Sequence, residues 1–471
     1  MAMRRRLSRS WQRGPAGTRP RPGARCARIV AIAGCLAAAG CAAPPDGAEL
    51  AQRVDAIVAP LVHARQFSGA IVMRRGDRVV YARGFGVANH DAGVPFTPDT
   101  PSDGGSMAKT FTAAVVRLLA AEGRIELDAP VTRYVASYPH RQTTVRQLIT
   151  HTNGLPPYYE FFDPHFAPGD VRTTSDLLRV VAAQAPAPSF EPGTRFEYSN
   201  LGFDAAAQVV EHVTGLAFDE VLRERVFARL GMHASFARPP RLTDWRGVRT
   251  MGHRWRDGAW QAWDVFDGEA FVGASNLYFS AADLARWAGA FALGHALPPA
   301  LVEQGLQPER IGARPSPLSG LSWYCDTPRR RCHYFGTVNA FHAFAAWDRQ
   351  RGEAVAFVSN GAMPPWTAVT LQRSLVDVLA GRALGESDTP GEPAAASVAP
   401  AHVVGRYRSP SLGVLTLEQA AGHGRLRMRI GDGLAFDVFQ VGRAIFYVPG
   451  LDHWLAFSGE RPPAWFRLRS L

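Results

Sequence analysis

Apolar residues recur at helical spacing between Glu49 and His63, where Leu50, Val54, Ile57, Val58 and Leu61 share one face and predict an amphipathic helix. The run F-S-G-A-I-V-M-R-R-G-D-R-V-V-Y-A-R-G-F-G-V-A, Phe67 to Ala88, places two strand-like stretches around Gly76-Asp77, which predicts a hairpin. Helical spacing returns from Ser106 to Ala121, with Val115, Val116, Leu118 and Leu119 as the expected buried stripe. Further helices are expected over 202–214, 281–292 and 367–380, and strands over 340–348 and 354–359.

The pattern then breaks. Residues 385–400 are rich in Pro, Ala, Ser and Glu without apolar periodicity, as a linker would be. Beyond it, short alternating runs (L-G-V-L-T-L, L-R-M-R-I, A-I-F-Y-V) sit between Gly-rich turns and predict a small all-β module. The chain divides on this reading into residues 1–41, a main domain over 49–382, a linker over 383–401 and a β domain over 402–471.

Charge changes the picture only at the N-terminus. The net charge of +11 suggests a nucleic-acid binder, but residues 1–40 hold nine arginines and no acid, leaving 43 basic against 41 acidic side chains elsewhere. No nucleic-acid partner is expected of so balanced a chain. The Arg-rich start leads into the apolar run Ile29 to Ala39, too short for a stable bilayer span, and ends in A-A-G-C at Cys41. It resembles a bacterial lipoprotein signal, which implies export to the periplasmic face of the envelope and a membrane contact only through lipid on Cys41. Cys35, in I-A-G-C, is a second candidate. The two cysteines beyond the signal, Cys325 and Cys332, flank D-T-P-R-R-R, and an oxidising compartment permits a disulfide across that turn. No metal-ligand spacing occurs, and no cofactor is expected.

One residue stands apart. Of the 52 basic side chains only Lys109 is a lysine, and it lies three residues after Ser106 in D-G-G-S-M-A-K-T-F-T. A guanidinium stays protonated at any working pH, whereas an amine can give up its proton and act as a base. Lone S-x-x-K matches are usually chance. Here further landmarks follow in order: T-V-R-Q-L-I-T-H-T-N-G-L from Thr144 and P-G-T-R-F-E-Y-S-N-L-G-F from Pro192.

With these motifs, residues 50–382 resemble the penicillin-recognising serine hydrolases: class C β-lactamases, DD-peptidases and related esterases. The resemblance implies an α+β fold, an antiparallel sheet flanked by helices plus an all-helical region, and the C-terminal module resembles the lipocalin-like β domains appended to such enzymes. Ser106 then corresponds to the nucleophile, with Lys109 on the same helix face and Tyr198 beside both, while Asn200 of Tyr198-Ser199-Asn200 would hold Lys109 and a substrate carbonyl. The family's third motif, K-T-G or H-T-G, is altered. Aligning Gly336 with its glycine puts Tyr334 at the Lys/His position and Phe335 at the Thr; His333 or His342 serves instead if the register differs. The oxyanion donors would be the N–H groups of Ser106 and Thr337. The expected substrate is a small ester or peptide-like amide attacked through an acyl-enzyme. The alternatives are a β-lactamase or D-Ala-D-Ala carboxypeptidase, or a catalytically silent lipoprotein that binds envelope components.

Overall fold

The computed structural model describes residues 47–156, 169–311, 314–326, 330–382 and 400–471, apart from the short segments 410–412, 420–425, 431–433, 441–444, 449–452, 457–467 and 470–471. Helix α1 (Gly47–His63) leads into the hairpin β1 (Gly69–Arg75) and β2 (Arg78–Phe85). These two strands join six later ones in an antiparallel sheet: β3 (Pro308–Ile311), β4 (Arg314–Ser319), β5 (Tyr324–Cys325), β6 (Arg331–Val338), β7 (Phe341–Asp348) and β8 (Glu353–Ser359). The spatial order is β3-β4-β5-β6-β7-β8-β1-β2, so the hairpin closes onto the last strand of the series.

Both faces of the central strands are covered. Ala70, Val72, Ala343, Ala345 and Trp347 belong to the large core on one face. Ile71, Met73, Phe344 and Ala346 alternate with them and pack under α1 and α7 (Pro365–Leu379) on the other. That period of two explains why β8 reads as an unbroken apolar run rather than as an alternation.

Helix α2 (Ala108–Ala121) differs from its sequence expectation. Every residue from Ala108 to Leu119 is buried, not only the predicted stripe. The helix lies between the sheet and the helical region, where Phe111 stacks on Phe279 (4.7 Å) and on Trp287 (4.4 Å) of α6 (Ala281–Ala292). Its other neighbours include α3 (Val145–Ile149) and α5 (Asn200–Thr214); α4 (Thr174–Gln184) packs in turn on α5. The α2 polar side chains Lys109, Thr110, Thr112 and Arg117 therefore face protein rather than water.

Seven strands follow after residue 400: β9 (Gly405–Ser409), β10 (Gly413–Gln419), β11 (Leu426–Ile430), β12 (Leu434–Gln440), β13 (Ile445–Val448), β14 (His453–Ala456) and β15 (Leu468–Arg469). They form one antiparallel sheet in sequence order, filled by Leu415, Leu417, Met428, Ile430, Phe446 and Leu455. The α+β architecture with a C-terminal β module is thus present. Among the described residues no helix is long and apolar enough to cross a membrane. The signal stretch with Cys35 and Cys41, and most of the linker, lie outside the described residues.

Candidate active site

Ser106 occupies a single 3-10 turn, Gly105–Met107, that runs into α2, so it stands just ahead of the α-helix rather than in its first turn. The turn is tight because Gly105 has φ +49° and its N–H donates to Asp103 Oδ1 at 2.8 Å. Burial holds the Asp103 carboxyl up at about 6, against the pull of that N–H. Three residues on, Lys109 lies fully buried and donates from Nζ to Ser106 Oγ at 3.2 Å and to the Ala274 carbonyl at 3.0 Å. The Tyr198 hydroxyl donates to the same Ser106 Oγ at 2.7 Å, and Lys109 Nζ lies 4.8 Å from the Tyr198 ring centre.

Tyr198 reaches this point from an extended segment that ends where α5 begins. Ser199 caps α5 by accepting from the Gly202 N–H at 3.1 Å. His151 supports the segment from within. Its ring stacks on Tyr198 at 4.5 Å, its Nδ1 accepts from the Ser199 N–H at 2.9 Å, and its carbonyl accepts from the Glu197 N–H at 2.9 Å. Burial and then the nearby Lys109 charge hold His151 well below the ordinary histidine range. With Nδ1 accepting, the neutral ring carries its proton on Nε2, which has no partner among the described residues. A neutral ring adds no second cation beside Lys109.

Asn200 departs from expectation. It is the first residue of α5, half-buried, and among the described residues its amide hydrogen-bonds neither Lys109 nor another group; the Ala274 carbonyl takes the acceptor position beside the ammonium. Ala274 donates its own N–H to Asp204 Oδ1 at 3.0 Å. Burial raises that carboxyl to about 7, with the Ala274 N–H and the Lys109 charge acting the other way.

The edge of the site is β6. Tyr334 and Gly336 point to its buried side, while His333 and Phe335 alternate to the other and Thr337 is exposed. Tyr334 is 1% exposed, stacks on Tyr324 at 5.6 Å and presents its hydroxyl toward Tyr198 without a hydrogen bond of ordinary geometry. Burial, then the Tyr198 and Tyr324 phenols, push the Tyr334 phenol well above its usual range, so it is neutral. Of the three side chains open to the Lys/His position, only Tyr334 faces Tyr198. His333 stacks on Tyr324 at 5.6 Å, and His342 is bound to Thr337 Oγ1 (3.3 Å) and the Met363 N–H (3.3 Å), its imidazole held neutral by burial at about 4.

Gly336 lets this strand touch the Ser106 turn. A Cβ there would lie 1.9 Å from the Gly104 carbonyl oxygen and 2.8 Å from the Ser106 nitrogen, and one on Gly105 would meet the Thr337 nitrogen at 2.8 Å. Backbone contact this close sets the amides of Ser106 and Thr337 side by side. Upstream on β6, Cys332 faces Cys325 of β5 and the two are joined by a disulfide. Among the described residues no cluster of His, Cys, Asp or Glu could hold a metal ion.

Sequence reasoning left four contributors unassigned: His151, Asp103, Asp204 and the Ala274 peptide. His151 lies inside the T-H-T-N-G-L landmark, so its position was signalled but its partner was not. Nothing in the sequence separates the buried Asp103 and Asp204 from the other acids.

A serine whose hydroxyl meets a buried lysine and a tyrosine, at the junction of an antiparallel sheet and a helical region, defines the β-lactamase/transpeptidase-like class of fold and site. The chain belongs to the Beta-lactamase family, which matches residues 54–380. It is 33% identical over 202 residues to "Esterase EstB" of Burkholderia gladioli (40% of this chain, 51% of the relative). It is 26% identical over 168 residues to "Penicillin-binding protein 4*" of Bacillus subtilis (36% and 37%). The chain thus spans about half the length, or less, of these curated relatives. The solved octameric penicillin-binding protein homologue from Pyrococcus abyssi has the same fold at TM-score 0.62 and 20% identity, over 87% of this chain and 94% of that one.

Proposed function

We propose that this chain is a serine hydrolase that forms an acyl-enzyme on Ser106 with short esters or uncharged peptide-like amides. The observation that carries the reading is the convergence of Lys109 Nζ and the Tyr198 hydroxyl on Ser106 Oγ, at 3.2 and 2.7 Å. Either group can take the Ser106 proton once it has given up its own, and Oγ then attacks the acyl carbon. The oxyanion would fall between the N–H groups of Ser106 and Thr337, where preorganised donors stabilise developing charge. The captured proton passes to the leaving alcohol or amine, and water repeats the sequence on the acyl-enzyme. We assign Asn200, two residues after Tyr198, to meet a substrate carbonyl.

Substrate choice follows from β6. A cation at the third-motif position would engage a substrate carboxylate, and a neutral buried phenol does not. Loss of a charge-assisted hydrogen bond weakens recognition by about 1.5–3 kcal/mol, roughly 10- to 150-fold. The name of the Burkholderia relative, an esterase, agrees with this preference. We further place the mature protein on the periplasmic face of the envelope, held by lipid on Cys41.

Two measurements test the reading. A fluorophosphonate should add once to the protein at the peptide holding Ser106, and Ser106→Ala should abolish the adduct; undiminished labelling of the variant would end the assignment. The kcat/KM for nitrophenyl esters should exceed that for a chromogenic cephalosporin, and Tyr334→Lys should narrow the gap. A wild-type preference for the cephalosporin would overturn the substrate class.

A further inference from the structure

The segment that delivers Tyr198 is gripped from two sides. His151 holds it from inside the main domain. On the outside lies the C-terminal sheet: the Ala435 N–H of β12 donates to the Phe196 carbonyl at 3.0 Å, and Phe436 packs its ring on Phe196 at 5.6 Å. Arg427 of β11 donates from Nη1 to Glu197 Oε1 at 3.0 Å. Phe196 and Glu197 are the two residues immediately before Tyr198, and the ion pair joins side chains 230 positions apart in sequence. Neither partner is a surface group, since the Arg427 and Glu197 side chains are 20% and 12% exposed.

From these contacts we infer that the C-terminal β module is a positioning device for the Tyr198 hydroxyl, with Arg427 and Phe436 as its working residues. The inference rests on the catalytic role proposed for Tyr198. Residues 197–199 belong to no helix or strand, so no ladder of backbone bonds fixes them. Their place is set instead by alternate links: the Phe196 carbonyl outward to Ala435, the Glu197 N–H inward to the His151 carbonyl, the Glu197 carboxylate outward to Arg427, and the Ser199 N–H inward to His151 Nδ1. Removing the outer links leaves the His151 stack as the chief restraint on a phenol that must stay at 2.7 Å from Ser106 Oγ. A misplacement of about 1 Å at a reacting group costs on the order of 100-fold in rate. Phe196 is shared by both grips, since its ring also meets His151 at 5.4 Å, so the outer sheet and the inner histidine set one common position.

The test uses the full-length protein and a nitrophenyl ester. Arg427→Ala should lower kcat by roughly 10- to 100-fold with KM within about twofold, measured below the variant's own melting temperature. Phe436→Leu, which keeps the apolar volume and removes the ring, should lower kcat in the same direction and serves if Arg427→Ala does not fold. The decisive arm is the cycle with Tyr198→Phe. Because both outer residues act through the phenol, Arg427→Ala or Phe436→Leu should cause no further loss in that background. An unchanged kcat in the single variants, or losses that multiply with that of Tyr198→Phe, would overturn the inference while leaving the catalytic reading intact. A Tyr198→Phe enzyme with the wild-type rate would remove the role of Tyr198 itself, and the positioning device with it.

Discussion

Lys109 Nζ, on a fully buried side chain, finds its two acceptors in Ser106 Oγ and the Ala274 carbonyl, while Tyr198 and Phe203 supply only ring faces. In a chain that uses arginine at every other basic position, this is where a guanidinium would fail, because it cannot surrender a proton. Lys109→Arg is therefore expected to lower kcat by about 10²–10⁴-fold, the range for losing a general base. Steady-state kinetics on a variant shown by circular dichroism to be folded checks this, and near-normal turnover would reduce Lys109 to a fixed charge. The neighbouring His151 shows how a residue can be visible in a motif and still have no assignable role. Its place in a recognisable landmark was evident, yet its work, a neutral ring under Tyr198 that accepts from Ser199, depends on a stacking partner 47 positions away.

At the level of elements, the site is made where β6 meets the Ser106 turn, and Gly336 decides how closely they meet. A methyl group there would press on the Gly104 carbonyl and the amides of Ser106 and Met107, all backbone atoms that cannot rotate aside. Gly336→Ala should therefore push β6 outward, separating the Thr337 N–H from Ser106. Overpacking of this kind costs about 1–3 kcal/mol. Urea unfolding should show that loss, and fluorophosphonate labelling of Ser106 should slow at the same time. A variant with wild-type stability and labelling would mean that the strand and the turn do not need to touch. The helices and strands called by periodicity recur in the structure within a few residues, since 281–292 is helix throughout and 341–348 and 353–359 are strands. In α2 the expected stripe is buried, and so, beyond expectation, is every other residue from Ala108 to Leu119. A sequence window reports the burial of a face only when another face is left in water.

For the whole molecule, the N-terminal forty residues and the rest of the chain make opposite statements about charge, and only the former explains the net +11. If Cys41 carries lipid, Cys41→Ala should abolish incorporation of labelled palmitate and move the protein from the membrane to the soluble periplasmic fraction, with Cys35→Ala behaving as wild type. The converse pattern would transfer the anchor to Cys35.

What the sequence alone determined is local or carried by residue identity: the helix and strand periods, the β module past the linker, the single lysine one turn from a serine, and the order of the landmarks that mark the Beta-lactamase family. These features follow from chemistry a few residues wide, so they survive without any knowledge of the fold. The tertiary structure decided which of Tyr334, His333 and His342 faces Tyr198, because strand pleat and register assign opposite faces to neighbours. It also replaced Asn200 by the Ala274 carbonyl beside Lys109, and it brought Arg427 and Phe436 onto the two residues before Tyr198. Each of these is a contact between positions far apart in the chain. Burial, the low-dielectric surroundings of buried charges and the approach of two backbones depend on all the elements at once, and no stretch of sequence encodes them by itself.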